Sequence, residues 1–85
     1  MRLPLIKNLL QFIHENDEDY LQESIETLEH LSLEETLKDE EMDSIGEILS
    51  NLYGAMEVYE DIKKGNSERD ALNGFMQRVM GSIDR

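Results

Sequence analysis

The segment from about residue 40 to residue 64 has the apolar spacing of one long helix. Steps of three and four residues separate its apolar side chains, which are Met42, Ile45, Leu49, Leu52, Met56 and Tyr59. A helix of 3.6 residues per turn brings such positions onto one stripe, whereas a strand requires strict alternation. The run is shorter than three full heptads, so we interpret it as the core seam of a bundle rather than as a coiled coil.

Three shorter amphipathic segments accompany this long helix. Pro4 suits the first position of a helix, Gly65 suits the left-handed position just past a helix end, and Ser67 is a good N-terminal cap. The predicted helices cover about residues 4–15, 18–31, 40–64 and 68–82.

A capping box also starts at Ser32, since Glu35 follows it at the third position. It predicts a short helical turn over about 33–37. Strand signals, internal repeats and linker-like tracts are absent from the sequence, and the loops are short. We therefore predict an all-α, compact, four-helix bundle-like single domain over residues 1–85 with a long third helix.

The charge is strongly negative and unevenly placed. The net charge is −12, and residues 15–61 hold 17 carboxylates against the single lysine Lys38. Such a charge raises the question of disorder, but Leu, Ile, Val and Phe make up 23 of the 85 residues, above the roughly 20% below which disorder is expected. The chain is therefore expected to fold, and its negative field is expected to prevent direct binding to nucleic acid or an anionic membrane.

The absence of cysteine excludes disulfides and thiolate chemistry and suits a reducing cytoplasm. Pro4, Lys7 and Asn8 interrupt the apolar start of the chain, so a secretory signal is not expected. No apolar run reaches the roughly 18–20 residues that span a bilayer. We predict a cytoplasmic protein with no membrane contact.

Metal sites of helical bundles are also not predicted. Di-metal bundles use Glu-x-x-His pairs, but Gln11 and Thr27 stand three residues before His14 and His30. The acidic run near residue 40 imitates the start of a calcium loop, but serines occupy the turn-glycine and bidentate-glutamate positions, at Ser44 and Ser50. With no phosphate-binding glycine loop or nucleophile arrangement either, we expect no enzyme activity, no catalytic residues and no cofactor.

Small residues recur beside the seam of the long helix and form the candidate interaction face. Gly46, Ser50 and Gly54 are spaced by four residues, with Leu49 and Tyr53 next to them. A mid-helix glycine costs about 1 kcal/mol relative to alanine, and close helix packing could offset that cost. The approaching helix could belong to the same chain or to a second copy in a symmetric dimer.

The sequence thus favours a non-enzymatic protein–protein interaction or accessory module that self-associates as a homodimer. The alternative hypothesis is an acidic mimic of nucleic acid that blocks a basic protein, and the charge density of residues 15–61 motivates it. Salt distinguishes the two, because a complex made of exposed charges weakens steeply as salt is added.

Three stretches of the chain carry a resemblance to a known family. They are MRLPLIKNLLQFI, HENDEDYLQESIETLE and DSIGEILSNLYGAMEV. Together they resemble a family of short, acidic, all-α bacterial proteins of unknown function. The resemblance implies a small cytoplasmic domain and assigns no site residues.

Overall fold

The computed structural model describes residues 2–83, with the side chains of residues 2–79, and this part of the chain contains no strand. Its helices in chain order are α1 (Leu3–Glu15), α2 (Asp19–Leu31), α3 (Asp39–Lys63) and α4 (Glu68–Ile83). The predicted all-α fold class with a long third helix is confirmed. Each predicted helix bound lies within one residue of the observed bound.

The chain divides into two compact units, unit 1 (Met1–Ala55) and unit 2 (Met56–Arg85), and the division falls inside α3. Unit 1 contains α1, α2 and most of α3, and unit 2 contains the end of α3 and α4. That the two units form a single domain stays a prediction.

The core of unit 1 is built from one stripe of each of its helices. Its buried apolar side chains are Ile6, Leu10, Ile13, Leu21, Ile25, Ile45, Leu52 and Ala55. In α1 and α2 these residues are three or four apart, so they lie on one face of each helix. Burial of a leucine or isoleucine side chain stabilises a fold by about 1.5–3 kcal/mol relative to leaving it in water.

Within unit 1 the buried side of α3 is rotated from the centre of the predicted seam, although Ile45 and Leu52 belong to both. Ile45, Asn51, Leu52 and Ala55 are buried, and at about 100° per residue they fall within an arc of about 120°. The seam residue Met42 is exposed. The regular three-and-four spacing therefore located the helix correctly but misplaced the centre of its buried side.

A buried asparagine explains part of this rotation. Asn51 is only 3% exposed, and its amide group links α3 to the start of α1. Its Oδ1 accepts the backbone N–H of Arg2 at 2.8 Å, and its Nδ2 donates to the backbone carbonyl of Glu47 at 2.9 Å. Because both ends of the amide have partners, this polar side chain is tolerated inside the unit.

Unit 2 has a smaller core and a well-defined turn. Val58 of α3 packs in this unit as a buried side chain, as do Ala71, Leu72 and Phe75 of α4. The turn between the helices begins at Gly65, which has φ +109°. There the Gly65 N–H donates to the carbonyl of Ile62 at 3.0 Å and the Asn66 N–H donates to that of Asp61 at 3.2 Å. This pair of bonds is the Schellman pattern, so the predicted helix end is confirmed.

The cap predicted for α4 is also confirmed. The hydroxyl of Ser67 accepts the backbone N–H of Asp70 at 3.1 Å. That bond satisfies one of the donors that the first turn of every helix leaves without an intrahelical partner.

The predicted capping box and helical turn over 33–37 are wrong. Ser32 closes α2 in a helical conformation, and its hydroxyl donates back to the carbonyl of Glu29 at 2.6 Å. Residues 33–37 contain only a hydrogen-bonded turn and no helix. Leu33 is 78% exposed and Leu37 is only half-buried, so little apolar burial stabilises a further helical turn here. The start of α3 is instead capped by Glu41, whose carboxylate accepts the N–H of Lys38 at 2.9 Å.

Candidate interaction surface

The predicted small-residue face divides into an exposed part and a buried part. Gly46 is exposed, Leu49 and Ser50 are half-buried, and Tyr53 is 45% exposed. Gly54 is buried inside the chain. The structure therefore keeps four of the five predicted residues at the surface of α3 and places the fifth inside.

Met42, which the sequence pattern assigned to the core seam, joins the exposed residues. With about 100° per residue, Met42, Gly46, Leu49, Ser50 and Tyr53 fall within an arc of about 100° on α3. This set of five residues is called the α3 face below. The α3 face lies on the side of the helix roughly opposite the buried arc of unit 1.

The surroundings of Gly46 indicate whether a helix of the same chain packs against it. A Cβ atom built on Gly46 would meet no heavy atom within 4 Å. No other helix of the described chain therefore packs closely on this glycine. The cost of placing glycine in the middle of α3 is not offset at this position by a contact with any described residue.

The ring of Tyr53 is held by a bond between helices of unit 1. Its phenolic hydroxyl donates to the Oε2 of Glu29 on α2. That hydrogen bond, with desolvation and the negative charge of Glu29 as smaller causes, raises the pKa of Tyr53 above its ordinary value of 10.0. This bond orients an exposed ring on the same side of α3 as Gly46, about two helical turns away.

Carboxylates dominate the surface of α2, the following loop and the start of α3. Ten of them lie between Asp19 and Asp43, all are exposed, and none makes an ion pair with a described residue. Lys38 is the only lysine or arginine in that stretch. This part of unit 1 therefore presents an uncompensated negative surface.

Elsewhere basic residues lie close to the carboxylates. In unit 1 the Nε of Arg2 lies 3.4 Å from a carboxylate oxygen of Glu47. In unit 2 the Nη2 of Arg78 lies 3.5 Å from Glu57 and 3.3 Å from Asp61. These pairs are exposed, so they localise charge more than they stabilise the fold.

Sequence reasoning missed a second exposed apolar surface in unit 1. Leu5 and Phe12 lie next to the buried stripe of α1, but both are exposed, Phe12 by 39%. The ring of Tyr20 lies edge-on to that of Phe12, with centroids 5.6 Å apart. Ile48 of α3 is also exposed, by 51%. The available signal was the spacing of Leu5, Leu9 and Phe12, which forms a second stripe next to the buried one.

We call Leu5, Leu9, Phe12, Tyr20 and Ile48 the α1 strip. A cavity of about 220 Å³ opens in it, and its walls are Leu5, Asn8, Leu9, Ile48, Asn51 and Leu52. Contiguous exposed apolar side chains with an aromatic pair are typical of surfaces that bind another macromolecule.

Within residues 2–79, no three histidine, aspartate or glutamate side chains are grouped so that they could hold a metal ion. None of the described helices is long and apolar enough to cross a membrane.

The molecule is thus a small all-α protein whose distinctive features are exposed faces on α1 and α3. It matches the family of unknown function DUF6952 over residues 1–84, and it belongs to that family. The resemblance to a family of unknown function is therefore confirmed. No curated protein and no solved structure matches the chain.

Proposed function

We propose that this domain is a non-enzymatic, self-associating protein–protein interaction module of the cytoplasm, and that its α3 face receives a helix of a partner protein. The observation that carries the proposal is the open position at Gly46, where a Cβ atom would touch nothing within 4 Å.

Gly46 lies in the interior of α3, where a glycine is energetically unfavourable. A glycine in a helix interior is less favourable than alanine by about 0.8–1 kcal/mol. Nothing in the described chain offsets this at Gly46. A helix of another molecule could do so, because the absence of a side chain lets two helix backbones approach closely and gain packing contacts.

The side chains around Gly46 suit such a contact. Met42 is flexible and adapts to irregular surfaces, and tyrosine is among the residues enriched at interface hot spots. Tyr53 is already fixed by its bond to Glu29. Its ring therefore loses little conformational freedom when a partner packs against it, which favours binding.

The charges around the α3 face indicate the chemistry of the partner. Asp39 and Asp43 lie along its edge on α3 and are exposed, and Glu29 lies beside Tyr53. A second copy docked face to face here would bring these carboxylates together. A helix with an apolar stripe and flanking lysines or arginines complements both the apolar centre and the acidic edge. The proposed partner at the α3 face is therefore a basic amphipathic helix, and self-association requires a surface with fewer carboxylates.

A second candidate function rests on a different observation. The ten exposed carboxylates between Asp19 and Asp43 make no ion pair with described residues. Such a surface could imitate the phosphates of a nucleic acid and occupy the binding site of a basic protein. Its complex would depend on charge alone, whereas a helix on the α3 face would also bury apolar side chains.

One experiment separates the two functions. The tagged full chain is used to capture proteins from a lysate of its native cells, and bound proteins are eluted with a salt gradient. Gly46→Leu adds a side chain at the open position, where its Cβ atom meets no heavy atom within 4 Å, and Asn73→Leu adds the same side chain at an exposed position of α4.

A partner of the α3 face should resist salt, be lost with Gly46→Leu and be retained with Asn73→Leu. A basic protein that elutes early and binds all three chains equally would replace the interaction module with the nucleic-acid mimic. A salt-resistant partner that binds Gly46→Leu normally would refute the α3 face as its site.

A further inference from the structure

The α1 strip is an apolar surface that unit 1 covers only in part, because Leu9 is half-buried and the other four side chains are exposed. Leu5, Leu9 and Phe12 follow one another at steps of four and three along α1, and the buried stripe of the same helix lies beside them. We propose that this strip is a homodimer surface, on which α1 of a second copy packs antiparallel around a two-fold axis near Leu9. The inference rests on the self-association proposed above and assigns it to a face other than the α3 face.

The order of side chains along the strip is compatible with a two-fold axis. In an antiparallel pair centred between residues 8 and 9, Leu5 of each copy faces Phe12 of the other, and the two Leu9 side chains meet near the axis. Each contact then occurs twice, as required of a symmetric interface.

The cavity provides a place for the incoming side chain. Leu5 forms one wall of the 220 Å³ space, together with Leu9, Ile48 and Leu52. Because Leu5 faces Phe12 of the second copy in this arrangement, that phenylalanine ring is the side chain brought to the cavity. An aromatic anchor in an apolar recess is the usual form of an interface hot spot.

The charges along α1 favour a second copy as the occupant. Leu3–His14 contains no carboxylate, although the chain as a whole has a net charge of −12. Two copies that meet through this segment avoid bringing their acidic surfaces together. The start of α1 carries the positive end of the helix dipole and Arg2, which pairs with Glu47 in the free chain, whereas its end carries Glu15 and is followed by Asp17 and Asp19. An antiparallel pair places each positive start beside the acidic end of the other helix.

The α3 face lacks this complementarity. Its edge residues Asp39 and Asp43 are both acidic. In an antiparallel pair centred near Gly46, Asp39 of each copy would approach Tyr53 of the other copy and the Glu29 carboxylate bonded to it, so like charges would meet. The charges therefore favour a different occupant for each surface. The α1 strip suits a second copy, and the α3 face suits a basic partner.

The test uses single cysteines, which are specific here because the natural chain has none. Three full-length variants, Leu9→Cys, Ser50→Cys and Asn73→Cys, report on the α1 strip, the α3 face and an exposed position of α4. Each is oxidised mildly at the same protein concentration, after circular dichroism has shown that it is folded. The extent of covalent dimer formation is followed with time. Wild-type chain and Phe12→Gln are compared by sedimentation equilibrium in parallel.

The inference predicts that Leu9→Cys forms the disulfide-linked dimer at least about tenfold faster than the other two, because a two-fold contact holds its thiols at high effective concentration. It also predicts that Phe12→Gln raises the dimer dissociation constant by about tenfold or more. Fast dimer formation only by Ser50→Cys would overturn the α1 strip while leaving self-association in place.

Equal rates for all three variants, together with a wild-type dimer in sedimentation, would refute the α1 strip as the dimer surface but not self-association itself. A wild-type chain that remains monomeric at the highest concentration would refute self-association itself and leave the strip to another molecule. The binding of a partner helix to the α3 face would be unaffected by that result, because the lysate experiment tests it separately.

Discussion

Replacement of Gly46 by alanine should stabilise the free domain. The position is inside α3 and exposed, and the added methyl group would touch nothing within 4 Å. The change therefore keeps the gain in helix propensity, about 0.8–1 kcal/mol, without a steric penalty. In a domain of this size that gain corresponds to an increase in melting temperature of about 4–8 °C. It also corresponds to a shift of the urea midpoint of about 0.5–1 M.

Two other glycines serve as matched controls. At Gly74 in α4 a Cβ atom would lie 3.6 Å from the Nη1 of Arg78, an ordinary contact, so Gly74→Ala should also raise stability. At Gly65 the φ angle of +109° disfavours any side chain. Gly65→Ala should therefore lower the free energy of unfolding by roughly 1–2 kcal/mol.

The assay is urea unfolding followed by circular dichroism, at two protein concentrations tenfold apart so that any contribution of self-association is visible. A loss of stability for Gly46→Ala alongside a gain for Gly74→Ala would refute the reasoning, since it would mean that an atom of the chain packs against Gly46. If the stabilised Gly46→Ala chain also captured less of a salt-resistant partner, the glycine would be serving binding at the expense of stability.

Three further predictions concern the tyrosine, the cap of α4 and the net charge. The pKa of Tyr53 should lie above 10.0 by NMR titration and fall toward that value in Glu29→Leu, which removes both the acceptor and the charge. Because the folded pKa is raised, the stability linked to this proton is complete below pH 10 and lost as the pH rises through the folded pKa. An unchanged Tyr53 titration in Glu29→Leu would contradict the hydrogen bond. Ser67→Ala should cost about 1 kcal/mol in thermal unfolding because it removes the cap on Asp70, whereas Ser44→Ala, an exposed change inside α3, should cost little. Moderate salt should raise the melting temperature, because it screens repulsion among the carboxylates; no increase would show that they are already balanced.

Local sequence signals located the helices well. The steps of three and four residues predicted α3, and Gly65 and Ser67 marked the turn before α4, because those residues make their bonds with near neighbours. The prediction at Ser32 was wrong although this residue also bonds to a near neighbour. Its hydroxyl has two possible partners, and the choice depended on whether Leu33 could be buried, which is a tertiary property.

The surfaces could be predicted only in part. The spacing of Gly46, Ser50 and Gly54 was visible in the sequence, but the burial of Gly54 and the exposure of Gly46 depend on how α3 is rotated in unit 1. Asn51 accounts for part of that rotation, because this polar residue is buried with both ends of its amide bonded. The exposure of Phe12 was missed because sequence spacing alone does not distinguish an apolar residue that faces the core from one that faces solvent beside an apolar stripe.

Site-specific photo-cross-linking tests most directly whether the α3 face binds a helix of another protein. A photoreactive amino acid is placed at Ser50, half-buried on the α3 face, and separately at Asn73, exposed on α4. Each full-length chain is irradiated in its native cells, and the adducts are identified by mass spectrometry. The account predicts an adduct with one basic, helix-containing protein from position 50, absent from position 73 and lost when Gly46→Leu is added. Adducts that are the same from both positions, or that persist with Gly46→Leu, would contradict it.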